Sequence, residues 1–181
     1  MSHTSNRLRI MMQCALFAAL TAVCSQIAIP TPWGVPINLA LFSVYMAGTM
    51  LGAVGGFVSQ LVFVSLAAVG LPVLAGFAGG PAAIFGLTGG YIVGFVLAAL
   101  IVGFLAAHGK RTVPFLCLYM VVGCAACYLL GTIWYSTLSG NRFFASLAVC
   151  VLPYLPCDVF KILLAAVLTR ALDRRLAVFR K

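Results

Sequence analysis

From Ile10 to Arg174 the chain is a succession of apolar runs of bilayer-crossing length, parted by short segments rich in glycine, proline or basic residues. A helix needs about 20 apolar residues to cross the hydrocarbon core, and only structures that satisfy their own backbone hydrogen bonds are tolerated there. This pattern confines the fold to a bundle of transmembrane helices. Of 181 residues, 64% are hydrophobic and only 7% are charged, too few charges to keep a soluble surface wetted. The chain therefore reads as an all-α integral membrane protein of a cell membrane, with no soluble domain.

The punctuation predicts six spans. Residues 1–9 form a polar N-terminal tail with Arg7 and Arg9. A single membrane domain then covers 10–175, with spans near 10–29, 37–51, 53–69, 82–107, 113–138 and 156–174, before a basic tail at 176–181. The first run also resembles a signal peptide, but it is long for one and its removal leaves an odd number of spans, so it is read as a retained helix. The second and third spans meet at Gly52 and Gly55-Gly56, and each has about the minimum length to cross, so the turn between them must be tight.

Charge sets the orientation. The net charge of +9 comes from eleven Lys and Arg against two acidic residues. Arg7, Arg9, Lys110, Arg111, Arg170, Arg174, Arg175, Arg180 and Lys181 fall on one side of a six-span chain and only Arg142 on the other. The positive-inside rule makes that crowded side, with both termini, cytoplasmic. Anionic headgroups account for the basic surplus, and no polar basic module suggests nucleic acid.

Against this background Pro153-Tyr-Leu-Pro-Cys-Asp158-Val-Phe-Lys161 stands out. An ionisable group at a span centre costs about 2.5–3.5 kcal/mol on insertion scales. Pro156 opens the last helix, so Asp158 and Lys161 lie on one face of its first turns, just under the outer surface, where the cost is smaller. The plainer reading is a pair that steadies the helix start; the functional reading is an outward solute pocket.

Three outer segments converge on the same side. Pro30–Pro36 cannot be helical throughout, and Trp33 suits an interfacial anchor. Gly70–Pro81 is irregular yet apolar, with Leu71, Val73, Leu74 and Phe77, and reads as a lid or cavity wall that folds back over protein. Residues 139–156 close the set. Asn38 opens the second span as a polar amide, and Thr88 and Tyr91 add hydroxyls near the start of the fourth. Gly86, Gly90 and Gly94, four apart, read as a tight helix contact in preference to a ligand approach. Ala15 with Ala19, and Ala18 with Ala22, serve equally for internal packing or for a partner helix. Trp134 and Tyr135 suit the membrane interface.

Several function classes drop out. Cys124-x-x-Cys127 has redox or metal spacing but lies in an apolar run with no histidine near, so packing is preferred and no metal site is expected. One carboxylate in a plausible site, no Glu and no buried His leave no catalytic set, so no enzyme is expected. No relay of ionisable groups suggests a pump, and no Walker motif permits the chain to use ATP. What remains is a membrane protein with an outer pocket and no energy source of its own.

Gly70-Leu-Pro-Val73, Gly86-Leu-Thr-Gly-Gly-Tyr-Ile-Val-Gly-Phe95 and Leu152-Pro-Tyr-Leu-Pro-Cys-Asp-Val-Phe-Lys161 resemble segments of the BioY family, the substrate-binding (S) components of energy-coupling-factor (ECF) biotin transporters. The likeness spans essentially the whole chain. Leu87 and Cys157 depart from the family's usual Pro and Gly and leave the polar residues untouched. The resemblance implies a six-helix S component that captures biotin from outside with high affinity. It implies docking on a membrane coupling subunit driven by two ATPases, with ATP used only by those partners and no cofactor in the chain itself. It favours Ala15, Ala18, Ala19 and Ala22 as the docking surface, although some family members are reported to work without dedicated partners. Asp158, Lys161, Tyr91, Asn38, Thr88, Phe77 and Leu71 are the expected ligand-binding residues. Which end of biotin meets Asp158 or Lys161 stays open, as do an S component for another vitamin and a membrane enzyme or channel.

Overall fold

The structure, a computed structural model, describes residues 2–32 and 34–179, with side chains described within 7–175. Trp33 and the tail residues Arg180 and Lys181 lie outside the described residues. The elements are α1 (Ser2–Gln26), β1 (Ala28–Ile29), β2 (Ile37–Asn38), α2 (Ala40–Ala68), α3 (Pro81–Ile84), α4 (Gly89–His108), α5 (Val113–Ser139), α6 (Phe143–Cys150) and α7 (Leu155–Phe179), with single 3-10 turns at Ala75–Phe77 and Leu152–Tyr154. Five stretches of helix are long and apolar enough to cross a membrane.

One of the five is really two. Gly52, with φ 76° and ψ −177°, breaks the helix inside α2. A Cβ built on Gly56 falls 2.9 Å from the Cα of Gly48, whereas eight residues of straight helix rise about 12 Å. The halves before and after Gly52 therefore fold back on each other, as the short runs required. A side chain at this φ is strained, which makes glycine the residue for the turn. Counting both halves gives six membrane segments.

α4 is the centre of the bundle and is buried along far more of its length than the other membrane-crossing helices. Its glycines make that enclosure possible. A Cβ on Gly90 would lie 2.3 Å from the Cβ of Trp134, and one on Gly94 would lie 2.8 Å from the Cys127 sulfur, both on α5. Gly90 and Gly94 thus form a helix contact, as their spacing suggested, whereas Gly86, expected on the same ridge, lies in the turn before α4.

Several boundaries differ from the sequence expectation. α1 stops at Gln26, and residues 28–29 pair antiparallel with 37–38, so the 30–36 loop is the tip of a small ribbon. The fourth span does not start at Ala82: α3 is a single turn, and α4 begins only at Gly89. Local hydrogen bonds explain the break. The Gly89 N–H donates to the Gly86 carbonyl at 3.0 Å, and the Trp134 indole N–H donates to that same carbonyl, also at 3.0 Å. Trp134 is half-buried and Tyr135 buried, so both pack against the protein.

The inner end is drawn together by Arg111, which donates to Asp173 on α7 at 2.8 and 2.9 Å and to the Thr49 carbonyl at 3.0 Å. Opposite it, the outer loops enclose a cavity.

Candidate ligand-binding site

The cavity has a volume of about 320 Å³, within the ~300–1,000 Å³ range typical of small-molecule sites. Loop 70–81 forms part of its outer wall. The last turn of α1 holds this loop down: Ser25 donates to the Val73 carbonyl, the Gln26 side-chain amide donates to the Leu74 carbonyl at 2.9 Å, and Gln26 Oε1 accepts from the Phe77 N–H at 3.1 Å. The Gly80 N–H donates to the Ala67 carbonyl at 2.7 Å and anchors the loop's other end. An apolar irregular segment covering protein is what its composition required. The ribbon loop is tied in as well, because the Tyr154 hydroxyl donates to the Val35 carbonyl.

Of the expected ligand-binding residues, Asn38, Thr88, Tyr91 and Lys161 line this cavity. Asn38 also accepts from the Ala40 N–H at 3.1 Å, which fixes the start of α2. Leu71 and Phe77 lie outside it, 43% and 72% exposed. Phe77 has a left-handed φ of 57°, rare for a bulky residue. The loop instead contributes Leu74, Ala75 and Ala78. The apolar floor, which sequence did not single out, includes Leu41, Phe63, Ile92 and Phe95.

Asp158 and Lys161 sit in the first turns of α7, 3% and 4% exposed. The Lys161 ammonium donates to Asp158 Oδ1 at 2.8 Å. The Tyr128 hydroxyl, from α5, donates to Asp158 Oδ2. Both carboxylate oxygens are therefore engaged within the protein. Lys161 and Tyr128 face the cavity, and Asp158 stands behind them. Tyr128 was missed by sequence reading. It packs edge-on against Tyr91, with ring centroids 6.2 Å apart and planes at 78°, a favoured aromatic geometry. The Tyr91 hydroxyl is paired with Thr132 at 3.3 Å, and a Cβ on Gly131 would strike the Tyr91 ring at 2.2 Å.

The chemistry of the enclosure is an apolar slot with one polar corner. That corner carries an ammonium group, a phenol oxygen and a neutralising carboxylate. All seven cysteines are free. Among the described residues, no three His, Cys, Asp or Glu side chains gather as metal ligands.

The alanines of α1 split between two faces. Ala15 and Ala19 are exposed, whereas Ala18 is buried and Ala22 half-buried against the core.

Comparison with known proteins places this architecture. The family model described as the BioY family matches residues 1–178. A probable biotin transporter BioY of Pyrococcus horikoshii is 39% identical over 159 residues, covering 88% of this chain and 93% of the relative. A biotin transporter BioY of Rhizobium etli is 35% identical over 168 residues, covering 87% and 89%. The crystal structure of the S-component for biotin from an ECF-type ABC transporter superposes with a TM-score of 0.86 at 28% identity, covering 96% of this chain and 95% of that one. The S component of a bacterial ECF transporter superposes with a TM-score of 0.50 at 16% identity, a likeness of fold alone.

Proposed function

The chain belongs to the BioY family, and from that premise we propose that its outer cavity captures biotin for uptake as the S component of an ECF-type transporter. It is a multi-pass membrane protein that binds a solute and catalyses no reaction. Its partners are a membrane coupling subunit and the ATPases that use ATP. The observation that carries the reading is Lys161 on the wall of an apolar, outward cavity with its buried partner Asp158 behind it.

The ligand's chemistry fits that wall. Biotin has an apolar bicyclic body, a ureido group with two donors and one acceptor, and a carboxylate tail. Phe63, Tyr91, Ile92 and Phe95 offer apolar surface for the rings. Asp158 already neutralises Lys161, so the polar corner has no surplus positive charge to attract a carboxylate. It suits a neutral group with donor and acceptor side by side, which is the ureido end. Asn38 and Thr88 complete the polar lining. Ala15 and Ala19, exposed on α1, offer the closest approach to a coupling subunit.

The test is titration of the purified, ligand-free protein in detergent with biotin, thiamine and riboflavin. Binding of biotin alone is the expected result. Binding of another vitamin in its place, or of none, overturns the reading.

A further inference from the structure

The polar corner has a fixed hydrogen-bond polarity. A phenol carries one proton, and Tyr128 gives its proton to Asp158 Oδ2, so only lone pairs of that oxygen remain for the cavity. An ammonium carries three protons, and Lys161 spends one on Asp158 Oδ1 at 2.8 Å, so it stays a pure donor. One carboxylate thereby sets an acceptor and a donor next to each other on the cavity wall. The other cavity tyrosines are committed elsewhere: Tyr91 to Thr132 at 3.3 Å, and Tyr154, as a donor, to the Val35 carbonyl. A phenol that donates to a carboxylate is also a stronger acceptor than a free one, because hydrogen bonds in a chain polarise one another.

We propose that the Tyr128 hydroxyl is a specificity-determining contact that accepts an N–H of the ligand's cyclic urea, with Asp158 as the positioning residue that fixes its polarity. The proposal rests on the biotin reading above. In it, Lys161 meets the urea carbonyl and Tyr128 the adjacent N–H, so discrimination between N–H and its replacements belongs to α5 as much as to α7.

The experiment compares biotin with biotin methylated at either ureido nitrogen, titrated into the full-length protein and its Tyr128→Phe variant. Leaving the urea N–H buried without its acceptor predicts that Tyr128→Phe binds biotin about 10-fold to 100-fold more weakly. The wild type should reject one of the two methylated ligands by a similar factor, and the variant should reject it by no more than about 3-fold. A merely structural role lowers both affinities together and leaves the ratio alone. Biotin affinity unchanged in the variant, or an unchanged ratio, overturns the proposal. If Tyr128→Phe does not survive extraction, Asp158→Asn carries the same test. Its amide can donate to the phenol oxygen and turn the phenol proton toward the cavity, so the ratio should collapse there too, and a retained ratio overturns the proposal. Failure of the wild type to bind biotin at all overturns the functional reading together with this one. Normal biotin binding with an unchanged ratio overturns this one alone.

Discussion

The two acidic residues of the chain, Asp158 and Asp173, both sit on α7, one toward each membrane face, and their ion pairs differ in almost every respect. At the inner end Asp173 meets Arg111, 62 positions away, through two parallel bonds of 2.8 and 2.9 Å. The guanidinium also holds the Thr49 carbonyl, so α7, the segment before α5 and the first half of α2 are joined at one point. These side chains keep 34% and 21% of their exposure. At the outer end Asp158 meets Lys161 three residues along the same helix, at 5% and 4% side-chain exposure. That pair joins two residues the helix already joins. Burying charges costs several kcal/mol per ion, and a pair recovers this only with good geometry and further partners. The inner pair recovers a lesser cost by tying three elements together. The outer pair, more deeply dehydrated, gains little tertiary structure beyond its Tyr128 bond, and what it holds in place is the polar corner of the cavity wall.

This contrast can be broken by substitution. Lys161→Ala and Asp158→Asn should weaken biotin binding most, by about 100-fold or more, because each strands a buried polar partner. Thermal unfolding in detergent should also move to lower temperature, because the remaining group is buried without its partner. The reversed pair Asp158→Lys with Lys161→Asp should not restore binding, and recovery of affinity would make the pair a mere helix brace.

Arg111→Ala should cost about 1–2 kcal/mol of stability, the range of a partly exposed bidentate pair, and leave biotin affinity alone. Here the reversed pair Arg111→Asp with Asp173→Arg should recover part of the loss. A drop in affinity parallel to the drop in stability would erase the distinction between the two ends. Gln26→Ala removes three bonds that hold loop 70–81 and should speed biotin release by about 3-fold to 10-fold, read by stopped flow. On affinity the smallest effect, none, is expected from Ala19→Leu on the exposed face of α1. Biotin uptake in cells that also make the coupling subunit and ATPases should fall, and normal uptake would place docking elsewhere.

What was legible in the chain follows from local rules. Run lengths and basic bias gave six segments, and Gly52 between two short runs gave the reversal. Pro156 gave the start of α7 and hence the shared face of Asp158 and Lys161. Proline and glycine in an apolar segment gave the covering loop at 70–81. What was not legible depends on contacts between distant residues or on loops without a period. Tyr128 lies in an apolar run where a tyrosine has no distinguishing neighbour, and its role appears only once α5 stands beside α7. The Arg111–Asp173 bond is of the same kind. Leu71 and Phe77 were expected as apolar walls, but an irregular loop has no face for pattern to predict, and Leu74, Ala75 and Ala78 turned inward instead. The fourth span was expected from Ala82, yet a hydrogen bond from Trp134, 48 positions away from Gly86, helps hold the chain open until Gly89.

That tryptophan has a practical consequence. The chain has only two, and the indole of Trp134 is bonded to the carbonyl of a cavity-lining glycine. Indole emission responds to the field and hydration around its N–H. With Trp33 replaced by phenylalanine, the remaining emission becomes an optical gauge of cavity occupancy, so a label-free binding curve can be recorded from the unmodified wall of the site.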